Sequence, residues 1–165
     1  MTWKDLTQEE LDDALYWAAG TDNIGKVKKI LRSGARMEWE SDDGSRALHL
    51  AAGRGMISSV KYLVGGGALT DVGDKKGMRP LHLAALWDHK DVVKFLLGAG
   101  ADPEVLNGTG QKPRDLCANM EIRRMLEAEE LKCRASRDAE RREAMAEHIL
   151  RQKRLGSLRP KGPSL

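Results

Sequence analysis

Aromatic residues make up only 4% of this chain, so any core has to be assembled from Leu, Val, Ile, Ala and Met. Cysteine is almost missing. Cys117 and Cys133 support no disulfide framework and fit a reducing compartment. Neither has a second cysteine or histidine at zinc-finger spacing, and a metal site needs three or four converging ligands, so no metal or other cofactor is expected. No run approaches the roughly 18 apolar residues of a membrane span. The opening MTWKDLTQEELDD has neither the basic and then apolar regions of a secretory signal nor the acid-poor composition of a transit peptide. These absences point to a cytosolic or nuclear protein. With 165 residues, 41% hydrophobic and 32% charged, the chain is long enough for one folded domain of ordinary size.

Net charge is +3, and its placement matters more than its size. Residues 1–126 carry 18 basic and 18 acidic side chains and balance; residues 127–165 carry 10 basic and 7 acidic ones. The last fifteen residues hold Arg151, Lys153, Arg154, Arg159 and Lys161 with no acid.

An internal repeat organises the rest. SDDGSRALHLAA (41–52) aligns with DKKGMRPLHLAA (74–85) at an offset of 33 residues, NGTGQKPRDLCA (107–118) follows at the same offset, and LDDALYWAA (11–19) precedes in frame. Ala14, Ala47, Pro80 and Pro113 share a column; so do Leu15, Leu48 and Leu81, and Ala18, Ala51, Ala84 and Cys117. The second halves VKKILRSGA, VKYLVGGGA and VKFLLGAGA agree as well. Val60, Leu63 and Val64 recur at i, i+3, i+4, one face of a helix, and so do Val93, Leu96 and Leu97. Gly34, Gly67 and Gly100 follow the second helix, where a left-handed residue ends it cheaply. Thr7 with Glu10 forms a capping box, and Leu6 with Leu11 a hydrophobic staple. A unit of turn and two short helices cannot bury its apolar face alone, so the units stack.

The pattern resembles the ankyrin repeat, T-P-L-H-L-A-A followed by V-x-x-L-L-x-x-G-A, over residues 11–126. The resemblance implies an all-α helical solenoid with short β-hairpin turns, here followed by a long C-terminal helix. The expected domain spans 1–126: a capping repeat (8–40), two full repeats (41–73 and 74–106) and a shortened cap repeat (107–126). The last lacks about four residues between Ala118 and Ile122 and has Arg114 and Asp115 where Leu and His stand in the others. A charged helical tail with a flexible basic end occupies 127–165, its helix running from Ile122 to about Leu155.

No catalytic motif emerges. His49 and His82 occupy one repeat position, where the resemblance implies an imidazole that ties turn to helix. No motif supports a Cys–His nucleophile pair. The glycine-rich VGGGALTDVGDKKG (64–77) lacks the G-x-x-x-x-G-K-[ST] order of a phosphate loop, and the acids follow no paired catalytic spacing. The chain is not expected to be an enzyme. Arg46, Arg79 and Lys112 stand where the family usually has a Thr that caps the first helix; a cation cannot cap a helix N-terminus. Their side chains are expected in solvent or on Asp43, Asp74 or Asp88, with a slightly weaker repeat as the consequence. A basic row meeting an acidic partner is the competing reading.

The resemblance implies a partner protein bound along the concave surface of hairpin tips and first helices. The solvent-facing variable positions are Asp42, Asp43, Ser45, Gly53, Arg54, Lys75, Lys76, Met78, Leu86, Trp87, Thr109, Gln111, Asn119 and Met120. From these and their neighbours, the expected partner-binding residues are Trp39, Asp42, Asp43, Arg54, Lys75, Lys76, Met78, Arg79, Leu86, Trp87 and Met120. Exposed large apolar residues in a group often mark an interface, and Trp is over-represented at binding hot spots. Trp17 replaces a Leu and is expected in the core; Trp3 is expected to cover the open end of the first helix pair. In the tail the thin stripe Met145, Ile149 and Leu150 could dock on a second partner, with Arg151, Lys153 and Arg154 as contacts. Five charges without aromatics make a weak nucleic-acid signal. The reading is a non-catalytic adaptor or assembly subunit. Its alternatives are a subunit docking on nucleic acid or a ribonucleoprotein through the basic tail, and an enzyme-regulatory protein that inhibits by binding.

Overall fold

The computed structural model describes residues 5–157. Trp3, Arg159, Lys161 and the segment from 158 onward lie outside the described residues. Eight helices are described and no strand: α1 (Gln8–Ala19), α2 (Ile24–Arg32), α3 (Ala47–Gly53), α4 (Ile57–Gly65), α5 (Pro80–Leu86), α6 (Lys90–Gly98), α7 (Pro113–Leu116) and α8 (Met120–Ser157). α3, α5 and α7 begin 33 residues apart, as do α2, α4 and α6. The chain divides into two compact units, Met1–Glu129 and Glu130–Leu165, so α8 belongs to both.

In the first unit the helices pack in two rows. α3 lies between α1 and α5, and α5 meets α7; α4 lies between α2 and α6. The columns read from the sequence are the core. Leu15, Leu48 and Leu81 are buried, as are Ala18, Ala51, Ala84 and Cys117, and behind them Val27, Val60 and Val93 with Ile30, Leu63 and Leu96. Each such leucine contributes roughly 1.5–3 kcal/mol of burial. The alanines keep the inner helices close. The shortened last repeat still closes this core: α7 has four residues against seven in α3 and α5, and Ile122 and Leu126 at the start of α8 are fully buried.

The hairpins between repeats are tight turns. Ser41 donates its N–H to the Ser45 carbonyl, Asp74 to Met78 and Asn107 to Gln111, each at 2.9 Å. At the tip Gly44, Gly77 and Gly110 have φ of 78°, 70° and 77°, which favours glycine. Neighbouring tips also bond, Lys75 N–H to the Asp43 carbonyl and Gly108 N–H to Lys76.

The two scaffold histidines reach further than expected. His49 Nδ1 accepts the N–H of Arg46 at 3.1 Å, and His82 Nδ1 accepts that of Arg79 at 3.2 Å. That fixes the hydrogen on Nε2, which lies 3.2 Å from the Met78 carbonyl and 3.1 Å from that of Gln111 respectively. Each ring therefore joins its own helix start to the next repeat's hairpin. Burial pushes both imidazoles below their ordinary titration range.

The Arg46 column differs from expectation. Neither Arg46 nor Arg79 caps its helix, as a cation must fail to do. But Arg46 turns back onto Glu38 and Glu40, with its Nη2 2.6 Å from Glu40, and Lys112 pairs with Glu104 at 3.4 Å. None of these cations reaches Asp43, Asp74 or Asp88. The segment just before each hairpin supplies the acid, and a partly buried cation is held by the nearest carboxylate. Two of the three cations in this row are thereby paired within the chain. Arg79 is the exception: Nε is buried without a hydrogen-bond partner.

α1 is held by two devices. Its Thr7–Glu10 capping box is present. The sequence pattern did not disclose the second, Asp12. Its buried carboxylate accepts from Arg36 Nε at 2.8 Å, the Arg36 backbone N–H and Gln8 Nε2 at 3.0 Å, tying α1 to the loop after α2.

The second unit is the remainder of α8; Glu130 at its start is buried, and most of the described residues beyond it are exposed, with Leu131, Met145, Ile149 and Leu150 outward. Within it Arg134 lies 3.9 Å from Glu130, an i, i+4 pair on one face of the helix.

Candidate functional site

The inner helices and hairpin tips line an open groove of about 690 Å³ on the first unit. α5 supplies Leu83 and Leu86, with Trp87 at its C-cap; the hairpin before it supplies Asp74, Lys76 and Met78. α3 supplies Leu50 and Gly53, with Arg54 at its C-cap, and α1 supplies Tyr16. Leu86 is 39% exposed and Trp87 62% exposed. Trp87 packs beside Gly53 of the preceding repeat, at ordinary van der Waals distance from where a Cβ there would stand. Met78 is half-buried rather than open, and its sulfur accepts from Asn107 Nδ2 at 3.4 Å.

Six of the expected partner-binding residues meet in this groove: Asp43, Arg54, Lys76, Met78, Leu86 and Trp87. Trp39 and Asp42 fall in an adjoining pocket described below. Lys75, Arg79 and Met120 line neither. Lys75 instead donates its Nζ to the Asp42 carbonyl at 2.6 Å, bracing one hairpin tip against the next. Met120 is exposed at the first turn of α8. Arg151, Lys153 and Arg154 are exposed on the second unit. Ser45, expected to face solvent, is buried; its N–H is held by the Asp43 carboxylate at 3.0 Å, which turns it inward.

The adjoining pocket, about 630 Å³, lies against α1. Tyr16 and Trp17 come from the helix and Trp39 from the segment before the first hairpin. Glu9, Glu10 and Asp13 rim it from α1, and Asp42 and Asp43 from the hairpin. Tyr16 is edge-on to both tryptophans, with ring centroids 5.3 Å and 6.1 Å away. Tyr16 and Asp43 line both pockets, so the two run into each other. Ser41 Oγ and Ser45 N–H donate to Asp43 and hold its carboxyl below the usual carboxylate range. Hydrogen bonds from Thr7 do the same for Glu10.

Trp17 overturns its assignment to the core: it is 52% exposed. The reason is positional. Its column continues as Leu50 and Leu83, and those leucines are covered from the N-terminal side, Leu50 by Gly20 and Leu83 by Gly53. Trp17 begins the column and has no such cover among the described residues. Its signal was present in the sequence, as a large aromatic at the first position of a column that continues as leucine. Tyr16, Glu9 and Asp13 carried no such mark, since only the fold brings them beside Trp39.

Catalytic chemistry finds no support among the described residues. Cys117 is buried, its thiol pushed up by burial, with Sγ 3.0 Å from the Asn119 carbonyl and 3.6 Å from Asp88. A nucleophilic cysteine needs the opposite shift. The ring nitrogens of His49 and His82 are taken by backbone groups, and His89 Nε2 lies 3.0 Å from the Gly53 carbonyl. No group of three possible metal ligands converges among the described residues, and no helix there is long and apolar enough to cross a membrane.

A family model for ankyrin repeats, in three copies, matches residues 15–107. No curated protein matches the chain. The match covers more than half of the sequence, and the chain belongs to the ankyrin-repeat family.

Proposed function

We propose that this ankyrin-repeat chain is a non-catalytic adaptor or assembly subunit whose concave groove seats a second protein, with Leu86 and Trp87 as its anchor. Ankyrin repeats generally mediate protein–protein interaction. The observation that carries the finer reading is the exposure of Leu86 and Trp87 side by side, in a groove also lined by Leu50, Leu83 and Met78. An indole standing in solvent among apolar neighbours gives a partner a large surface to bury at little entropic cost. Arg54, Lys76, Asp43 and Asp74 around it offer polar contacts that fix orientation.

The test is quantitative co-capture of the bound protein with wild type and Trp87→Ala at matched concentration. Trp87→Ala is expected to keep its circular dichroism and melting temperature and to lose at least tenfold in affinity. Unchanged affinity sinks the reading.

The exposed basic end of α8, with Arg151, Lys153 and Arg154, supports a second reading, docking on nucleic acid. Salt separates the two. Binding to phosphates weakens steeply with added salt, whereas an apolar contact centred on Trp87 hardly responds.

A further inference from the structure

Three of the chain's seven aromatic residues, Tyr16, Trp17 and Trp39, gather in the pocket against α1. In a sequence this poor in aromatics, such grouping outside the core calls for a purpose. The structural purpose fails for Trp17, which is half exposed. Carboxylates from two elements rim the same space, and no lysine or arginine lines it. Glu9, Asp13 and Asp42 have no side-chain ion pair among the described residues. The face of an aromatic ring is electron-rich and attracts cations, most strongly when the cation is partly desolvated. Several like charges around a concave wall add their fields. Rings and acids together therefore select one chemistry.

The protein already uses that chemistry at this wall. Arg54 lies with its guanidinium carbon 5.8 Å from the centre of the Trp17 ring. The indole thus takes a guanidinium even from within the chain. Arg54 itself belongs to the neighbouring groove and leaves the acid-rimmed pocket without a cation.

We propose that the pocket formed by Tyr16, Trp17, Trp39 and the carboxylates of Asp13 and Asp42 receives an arginine or lysine side chain from a basic segment of the partner protein. The inference rests on the reading of the concave face as the partner's seat and adds the chemistry of one end of it. Tyr16 and Asp43 join the pocket to the groove of Leu86 and Trp87, so one extended segment can place a cation at the α1 end and an apolar side chain at the α5 end.

The test follows the indole N–H signals of the full chain by NMR during titration with tetra-arginine amide. Tetra-citrulline amide, nearly the same shape without the charge, is the control. The expected result is a saturable shift of Trp17 and Trp39, none with citrulline, and little movement of Trp87. Asp13→Asn/Asp42→Asn is expected to weaken the arginine peptide about tenfold, as is Trp39→Ala, read at Trp17. Equal shifts with both peptides, movement of Trp87 alone, or unchanged affinity in the Asn variant overturns the proposal. So does a shift of Trp17 and Trp39 that grows with protein concentration without peptide, which would assign the pocket to the basic end of a second copy. Trp87→Ala is expected to leave this titration unaltered, so this proposal and the adaptor reading fail separately.

Discussion

Asp71→Glu should stabilise the protein, and the repeat itself supplies the reasoning. Glu38 and Asp71 are the same position, 33 residues apart, as are Arg46 and Arg79. In the first repeat one carboxylate does two jobs. Glu38 Oε1 accepts the Leu69 N–H at 3.1 Å while Oε2 pairs with Arg46. In the second, both oxygens of Asp71 lie on the Asp102 N–H, at 3.3 and 3.4 Å, and none reaches Arg79. The side chain is one methylene too short. Glutamate restores the reach, and the two long bonds to Asp102 put little at risk. A half-exposed ion pair is worth up to about 1 kcal/mol. The second acid of the first repeat, Glu40, corresponds to Gly73, so the Arg79 Nε stays unmatched and the gain should stop near 0.5–1 kcal/mol. That is a rise of about 2–3 °C in melting temperature, read by far-UV circular dichroism and smaller in about 1 M salt. The same logic makes Arg46→Gln costlier than Arg79→Gln. An equal gain from Asp71→Glu in an Arg79→Gln background, or no gain at low salt, refutes the pairing.

Stability should also depend on pH through His49 and His82. Both are held neutral in the fold by burial, below the ordinary value of 6.5. The unfolded chain therefore binds protons first, and stability that is full above pH 6.5 declines as pH falls through that value toward the depressed one. His82→Gln keeps an acceptor and a donor without titrating, so its melting temperature should vary less between about pH 7.5 and 5 than that of wild type; an equal slope refutes the assignment. Asp12→Ala should cost about 2 kcal/mol in urea unfolding, because a buried carboxylate with four donors is lost; the figure sits below that of fully buried pairs since Arg36 keeps 63% of its side chain in solvent. A loss within the scatter of surface substitutions would show that Asp12 ties nothing.

Where the repeat is periodic, sequence and structure agree closely. Leucine, alanine and valine columns fall inside, and glycine columns take positive φ, because each residue meets the same neighbours one repeat earlier and later. The failures sit where that translation stops. The column of Trp17 predicts a core position, but that column is covered from the preceding repeat, and none precedes α1 among the described residues. The hairpin acids expected for Arg46 do not hold it; Glu38 and Glu40 of the segment before the hairpin do, and only the fold turns the side chain toward them. Asp12 has no counterpart of its kind at Ser45 or Met78, so no pattern marked it. The groove was half legible: Leu86, Trp87 and Met78 break the pattern and show, while Tyr16, Glu9 and Asp13 look like any helix surface until Trp39 is placed beside them.

The same broken periodicity gives the concave face a direction. Thr21, Arg54, Trp87 and Met120 occupy one register position, and a uniform solenoid would present the same chemistry at each. Here the wall changes along the stack. Acids and aromatics stand at α1, an arginine stands over Trp17 at α3, and an open indole with Leu86 stands at α5. A partner segment that reads this wall cannot be reversed without placing its cation against Trp87 and its apolar side chain among carboxylates. Each mismatch leaves charge or apolar surface poorly matched, which is how specificity arises from contacts that are individually weak. The repeat supplies a nearly identical backbone at every step, and on the proposed reading the few residues that depart from it would decide which way round a partner segment lies.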